Sequence, residues 1–369
     1  MKLTSRQGFC LMTCFLLGNV LSGIGSGSDL EKTGYLSVFF SFLPLILLIF
    51  IYREILRRNN NRDFFELFSL LLGRTAGKIL LIVIAFYSLL SAFFSMANLI
   101  EFIEKSTFFN TPKQLVLFIS LLLILYLCFS REKAMGRYAE IVLPIVLFAV
   151  SMLLIFGWKQ FNPEHIVFIS SKKHFVKQGF KIFLSPFSEI IFVYLLFDML
   201  KDKTKISKIA ISSCTLTVFL FSAMYLFNLL ILGKKLMASV PFPTFYAASV
   251  VEVGTVIENA ETLITFSYTF CDLLYSGACL FLLSKSVQNL FPQHQNAKKI
   301  TALSAVILIF VLLCIPKISG NLRQYYKWVA PGMIPLTLGI PMVLLLATLF
   351  KKPNTKGHSP KSCNNGDPQ

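Results

Sequence analysis

The chain has 369 residues, 55% of them hydrophobic and only 14% charged, with 38 phenylalanines. A soluble domain carries about a quarter charged residues, so this composition excludes a soluble enzyme and implies an all-α polytopic membrane protein. The net charge of +17 would suggest nucleic acid in a soluble protein; here it follows from basic loops kept on one side of a membrane, and no nucleic-acid partner is expected.

Apolar blocks long enough to cross about 30 Å of hydrocarbon as helices give ten expected spans: 8–27, 35–52, 79–100, 113–130, 140–158, 180–200, 208–232, 262–284, 300–317 and 329–350. The fourth and ninth have short apolar cores and draw in Gln114 and Thr301 to reach membrane length. Ten spans put both termini on one side. That side collects 22 of the 35 Lys and Arg residues against 13 on the other, which predicts that both termini are cytoplasmic. A charged start and an apolar run without a small-residue cleavage site read as a retained first helix, not a removed signal peptide.

Span one ends in "SGIGSGSD", Ser22 to Asp29, a poor continuation of a membrane helix. Gly23 and Gly27 form a small-residue pair suited to close helix packing. Gly25 lies off that face and costs about 1 kcal/mol relative to alanine, so packing alone leaves it unexplained. The alternative is an unwound segment in which Gly23, Gly25, Ser26 and Gly27 offer free backbone groups to a ligand. Depth argues for packing, because Gly8 to Gly23 already spans about 22 Å of helix.

The loop after span two, "REILRRNNNRDFFELFSLLLGRTAGK", is basic and amphipathic. Phe64, Phe65, Leu67, Phe68 and Leu71 or Leu72 share one helical face, and a helix resting on anionic membrane lipid is expected. In span three, Tyr87, Ser91 and Ser95 recur at i, i+4 and i+8 as a polar stripe, which either packs or lines a cavity.

Spans one to five (repeat one, about 1–158) and six to ten (repeat two, about 180–350) have similar size. Five is odd, so the second block enters from the opposite face, as an inverted repeat within one transmembrane domain, 1–352, requires. Residues 353–369 have no periodicity and are expected to be a disordered cytoplasmic tail.

Span six contains "FLSPFSEI". Pro186 removes a backbone donor, Ser185 and Ser188 can bond the freed carbonyls, and Glu189 places a carboxylate one turn later. Interrupted helices at matching positions of two halves point to a transporter-type binding site. Amides at a positive helix start suit a carboxylate, and freed carbonyls suit an ammonium or cation; a zwitterionic amino acid matches both. Phe187, Ser188 and Glu189 join the candidate set, as do Asp272 and Tyr275, one turn apart in span eight. Ionisable groups at membrane depth normally face a protein interior or a cavity. For Glu189 and Asp272 a structural hydrogen bond and a cavity-lining role both stay open.

The eight cysteines, mostly within apolar segments, form no CxxC pair and read as small buried hydrophobes. With no metal-ligand spacing, nucleophile–base pair, P-loop or HExxH motif, neither metal, cofactor nor catalysis is expected.

Four stretches resemble a known family, the B subunits of endospore germinant receptors, within the amino acid–polyamine–organocation transporter superfamily. They are "SRQGFCLMTCFLLGNVLSGIGSG"; "SREKAMGRYAEIVLPIV", with Glu132, Arg137 and Glu140; "FLSPFSEI"; and "PFPTFYAASVVEVGTVIENAETL", with the paired Glu258 and Glu261. The resemblance covers about residues 4–350. Two features depart from it: the Leu-x-Pro stretch usual after the glycines is missing, and Asn259 replaces an arginine between the paired glutamates. The resemblance implies a subunit that senses an amino acid or similar nutrient in the spore inner membrane and triggers germination together with A and C subunits. A proton-coupled amino acid permease is the alternative.

Overall fold

The computed structural model of the protein describes residues 2–23, 34–106, 112–130, 132–165, 179, 192, 197–251, 260–293, 296–315 and 335–350. Among the described residues the chain is helical, with a single isolated bridge between Leu3 and Leu200 and no strand.

The helices are α1 (Ser5–Gly23), α2 (Gly34–Arg58), α3 (Phe64–Leu72), α4 (Arg74–Ser106), α5 (Lys113–Phe129), α6 (Glu132–Gly157), α7 (Ile206–Ser239), α8 (Pro243–Ser249), α9 (Ala260–Leu290), α10 (Ala297–Cys314) and α11 (Ile340–Phe350). Five stretches are long and apolar enough to cross a membrane, in α2, α4, α6, α7 and α9, and α5 and α11 are shorter apolar helices. Expected spans two, three, five, seven and eight fall on the five long stretches, four and ten overlap the shorter apolar helices, and one and nine overlap α1 and α10.

Three boundaries differ from the expectation. The first helix continues through Gly23, so the start of the glycine-rich stretch is helical, while Gly25, Ser26 and Gly27 lie outside the described residues. Span seven runs on to Ser239 but breaks at Gly233, whose φ of 68° is open to glycine alone without strain. The end of expected span six is not α-helical: Phe197–Met199 is a 3-10 turn, and Leu200 pairs with Leu3. Phe187, Ser188 and Glu189 also lie outside the described residues.

α3 is amphipathic as expected, but its apolar face meets protein. Phe64, Phe65, Leu67 and Phe68 are all buried, packed with α4 and α11, and the Phe64 ring meets Tyr52 edge-on at 5.7 Å. The helix therefore does not lay this face on lipid. Bundle burial satisfies the same apolar stripe that an interface would have satisfied.

Among the described residues α4 and α9 share the largest helix–helix interface, and α1 packs across α6, α7 and α9. The outside of the bundle is apolar, as in Leu115, Phe118, Ile119 and Leu122 of α5 and Ile300, Leu303, Ile307 and Val311 of α10. These are lipid-facing surfaces, since an aqueous surface would be polar at such density. The seven described cysteines are free and, apart from Cys314, buried.

Candidate functional site

Four aromatic rings meet where the first, third, sixth and eighth expected spans come together. Tyr87 of α4 lies 5.0 Å from Phe192, Phe192 lies edge-on to Phe15 of α1 at 6.4 Å, and Phe15 lies 4.8 Å from Tyr275 of α9. All four are buried. Contacts of this kind are worth about 0.5–1.5 kcal/mol each beyond their area. They also present ring faces and phenol groups, which suit an apolar body or a cation.

α1 and α9 reach this junction in near contact. A Cβ on Gly18 would stand 2.8 Å from the Cys271 carbonyl oxygen and 3.0 Å from Cβ of Tyr275. Gly18 thus lets the two backbones approach, and Phe15, one turn earlier, is delivered against Tyr275.

Asp272 is one turn along α9 from Tyr275 and is 1% exposed. Ser95 Oγ of α4 donates to its Oδ1 at 2.8 Å and lies 2.6 Å from Ser276 Oγ. A hydroxyl has one proton to give; Ser95 gives it to the carboxylate, so Ser276 donates to Ser95. The two helices run antiparallel, and the next level holds Asn98 Nδ2 donating to Tyr268 OH at 2.7 Å. Beyond it Phe102 lies tilted against Tyr268 at 4.2 Å and edge-on to Phe242 at 5.0 Å. The α4–α9 seam is therefore aromatic at the junction, polar for about two turns, and aromatic again toward α8.

Of the candidates read from sequence, Tyr87, Asp272 and Tyr275 converge here, and Ser95 of the polar stripe bonds the carboxylate. Gly23 belongs to the same helix as Phe15 and Gly18. Phe15, Phe192 and Ser276 were not legible as site residues. Phe15 and Phe192 are two of 38 phenylalanines, and Ser276 is distinguished only by its place beside Asp272. Among the described residues no three His, Cys, Asp or Glu side chains group as metal ligands.

A family model described as "Spore germination protein" matches residues 2–320. Spore germination protein B2 of Bacillus subtilis (strain 168) is similar, 24% identical over 277 residues that make up 73% of this chain and 74% of that protein. Two mutant structures of the Eremococcus coleocola manganese transporter superpose with a TM-score of 0.56 at 16% identity, over 93% of this chain and 78% of theirs. The same transporter in complex with an aromatic bis-isothiourea substituted compound gives 0.53 over the same shares. At 16% identity the likeness shows a shared transporter fold.

Proposed function

Because the chain belongs to the spore germination protein family, whose model matches residues 2–320, we propose that it is the B-type subunit of a germinant receptor that senses a small nutrient, an amino acid, at the junction of Phe15, Tyr87, Phe192 and Tyr275. The supporting observation is convergence. Residues from two expected interrupted spans and from both helices of the largest interface meet at one buried place, with a carboxylate one turn away. The aromatic rings receive the apolar part of the ligand, Asp272 attracts its ammonium, and freed amides of the glycine-rich stretch receive its carboxylate. Binding acts by favouring one arrangement of the interrupted spans over another, by as much as its affinities for the two differ. The A and C subunits read that difference in the spore inner membrane, with both termini of this chain in the cytoplasm.

A working permease is the second reading, favoured by the transporter fold and the buried Asp272. One experiment separates the two. The full chain is reconstituted in liposomes and exposed to each of the twenty amino acids, with thermal shift and radiolabel accumulation recorded together. A shift for one class of amino acid without accumulation is expected of the sensor. Accumulation driven by a proton gradient establishes the permease, and absence of any shift removes the ligand site.

A further inference from the structure

At the end of the bundle that carries the N-terminus, contacts remain that the ligand site does not use. The Leu3 amide donates to the Met199 carbonyl at 2.8 Å, and the Lys201 amide donates to the Leu3 carbonyl at 3.0 Å. Leu3, Met199 and Leu200 are at most 1% exposed. Thr4 and Gln7 bond reciprocally, Thr4 N to Gln7 Oε1 at 3.2 Å and Gln7 N to Thr4 Oγ1 at 3.3 Å, which fixes how the chain enters α1. Gln7 Nε2 then donates to Glu140 of α6 at 3.3 Å.

Asp198 ties this seam to α3. Its carboxylate, 6% exposed, accepts the Phe64 amide at 3.1 and 3.3 Å. The first turn of a helix has amides that its own backbone cannot satisfy, and Asp63, the N-cap of α3, makes no side-chain cap bond. Asp63 pairs with Lys203 instead, and Lys203 stands 3.7 Å from Asp198. Lys285 of α9 lies 5.0 Å over the Phe65 ring. A residue 134 positions away in sequence thus caps α3, while its chain neighbours hold the N-terminal segment.

We propose that residues 2–8 and 197–203 form a strap closing this end of the bundle, and that Asp198 makes the strap and α3 open as one unit. The strap joins the N-terminal end of expected span one to the C-terminal end of expected span six by backbone bonds. A rearrangement of either span therefore pulls on the other and, through Asp198, on α3. This closure does not depend on which ligand the aromatic junction takes, or on whether it takes one.

Hydrogen exchange on the full chain in lipid nanodiscs tests it through the Leu3, Phe64 and Lys201 amides. In the wild type, peptides covering 2–8, 63–68 and 199–203 are expected to open with one common protection factor. Asp198→Ala removes the cap and is expected to speed all three together by about tenfold or more, with the α4–α9 seam unchanged. Asp198→Asn, which keeps an acceptor oxygen, is expected to speed none of the three segments. Acceleration confined to 63–68 in the alanine variant overturns the proposal. If that variant does not fold, separate wild-type protection factors for the three segments overturn it equally.

Discussion

Ser95 on α4 donates its hydroxyl proton to Asp272 on α9 across 2.8 Å, and the two residues are 7% and 1% exposed. This bond joins the two helices with the largest shared interface and stands one turn from the aromatic junction. In a low-dielectric setting a donor to a carboxylate matters more than the same bond at a surface.

Ser95→Ala takes that donor from Asp272 and is expected to cost about 1–3 kcal/mol. Asp272→Asn keeps the size and an acceptor and should cost less. Thermal unfolding of the detergent-solubilised full chain, read by intrinsic fluorescence, checks the order. Because Ser276 feeds the same chain of hydroxyls, Ser95→Ala and Ser276→Ala should be non-additive in a double-mutant cycle.

At the aromatic junction, Tyr275→Ala and Phe192→Ala are each expected to weaken the nutrient-induced thermal shift by about tenfold in ligand concentration, the equivalent of one lost ring contact of about 1.4 kcal/mol. Tyr126→Ala, at a residue 65% exposed on the lipid-facing side of α5, should leave it unchanged. Equal effects at Tyr126 and Tyr275 would remove the junction as the ligand site.

Gly18 is where α1 and α9 come closest. A Cβ there stands 2.8 Å from a backbone oxygen that no rotamer change can move away. Gly18→Ala should therefore destabilise by about 1–3 kcal/mol and lower the yield of folded protein. Gly339→Ala has no described atom within 4 Å of the added carbon and serves as the neutral control in the same expression and melting assay.

Asp198, in the 3-10 turn Phe197–Met199 near Lys203 and Lys285, gives a pH dependence whose sign follows from its surroundings. Burial first, with Asp63 nearby, raises its carboxyl from the ordinary 3.8 to about 6, against the opposing pull of Lys285, Lys203 and the Phe64 amide. The folded chain holds this proton more tightly than the unfolded chain. The stabilisation is therefore complete below pH 3.8 and is lost as pH rises through about 6. The advantage of Asp198→Asn over wild type should therefore grow as pH rises from 4 to 7, to on the order of 2 kcal/mol at the upper end. Melting temperatures of both proteins across that range decide it, and parallel curves would refute it.

Much of the molecule was written locally. Membrane class, the positions of most spans, the amphipathic character of α3 and the family follow from apolar length, basic loops and short motifs, which a stretch of chain carries regardless of its neighbours. Tyr87, Asp272 and Tyr275 could be singled out because a polar or phenolic group on an apolar helix is conspicuous. Phe15 and Phe192 could not, since a phenylalanine among 38 carries no mark of the ring it will face.

Tertiary structure decided the rest. Amphipathicity says that the apolar face of α3 must be covered, not whether lipid or protein covers it, and here α4 and α11 cover it. Pairing Ser95 with Asp272, or Leu3 with Leu200, depends on the phase and direction in which distant helices meet. Gly18 and the antiparallel seam of α4 and α9 set those quantities through packing, and no window of sequence contains both partners.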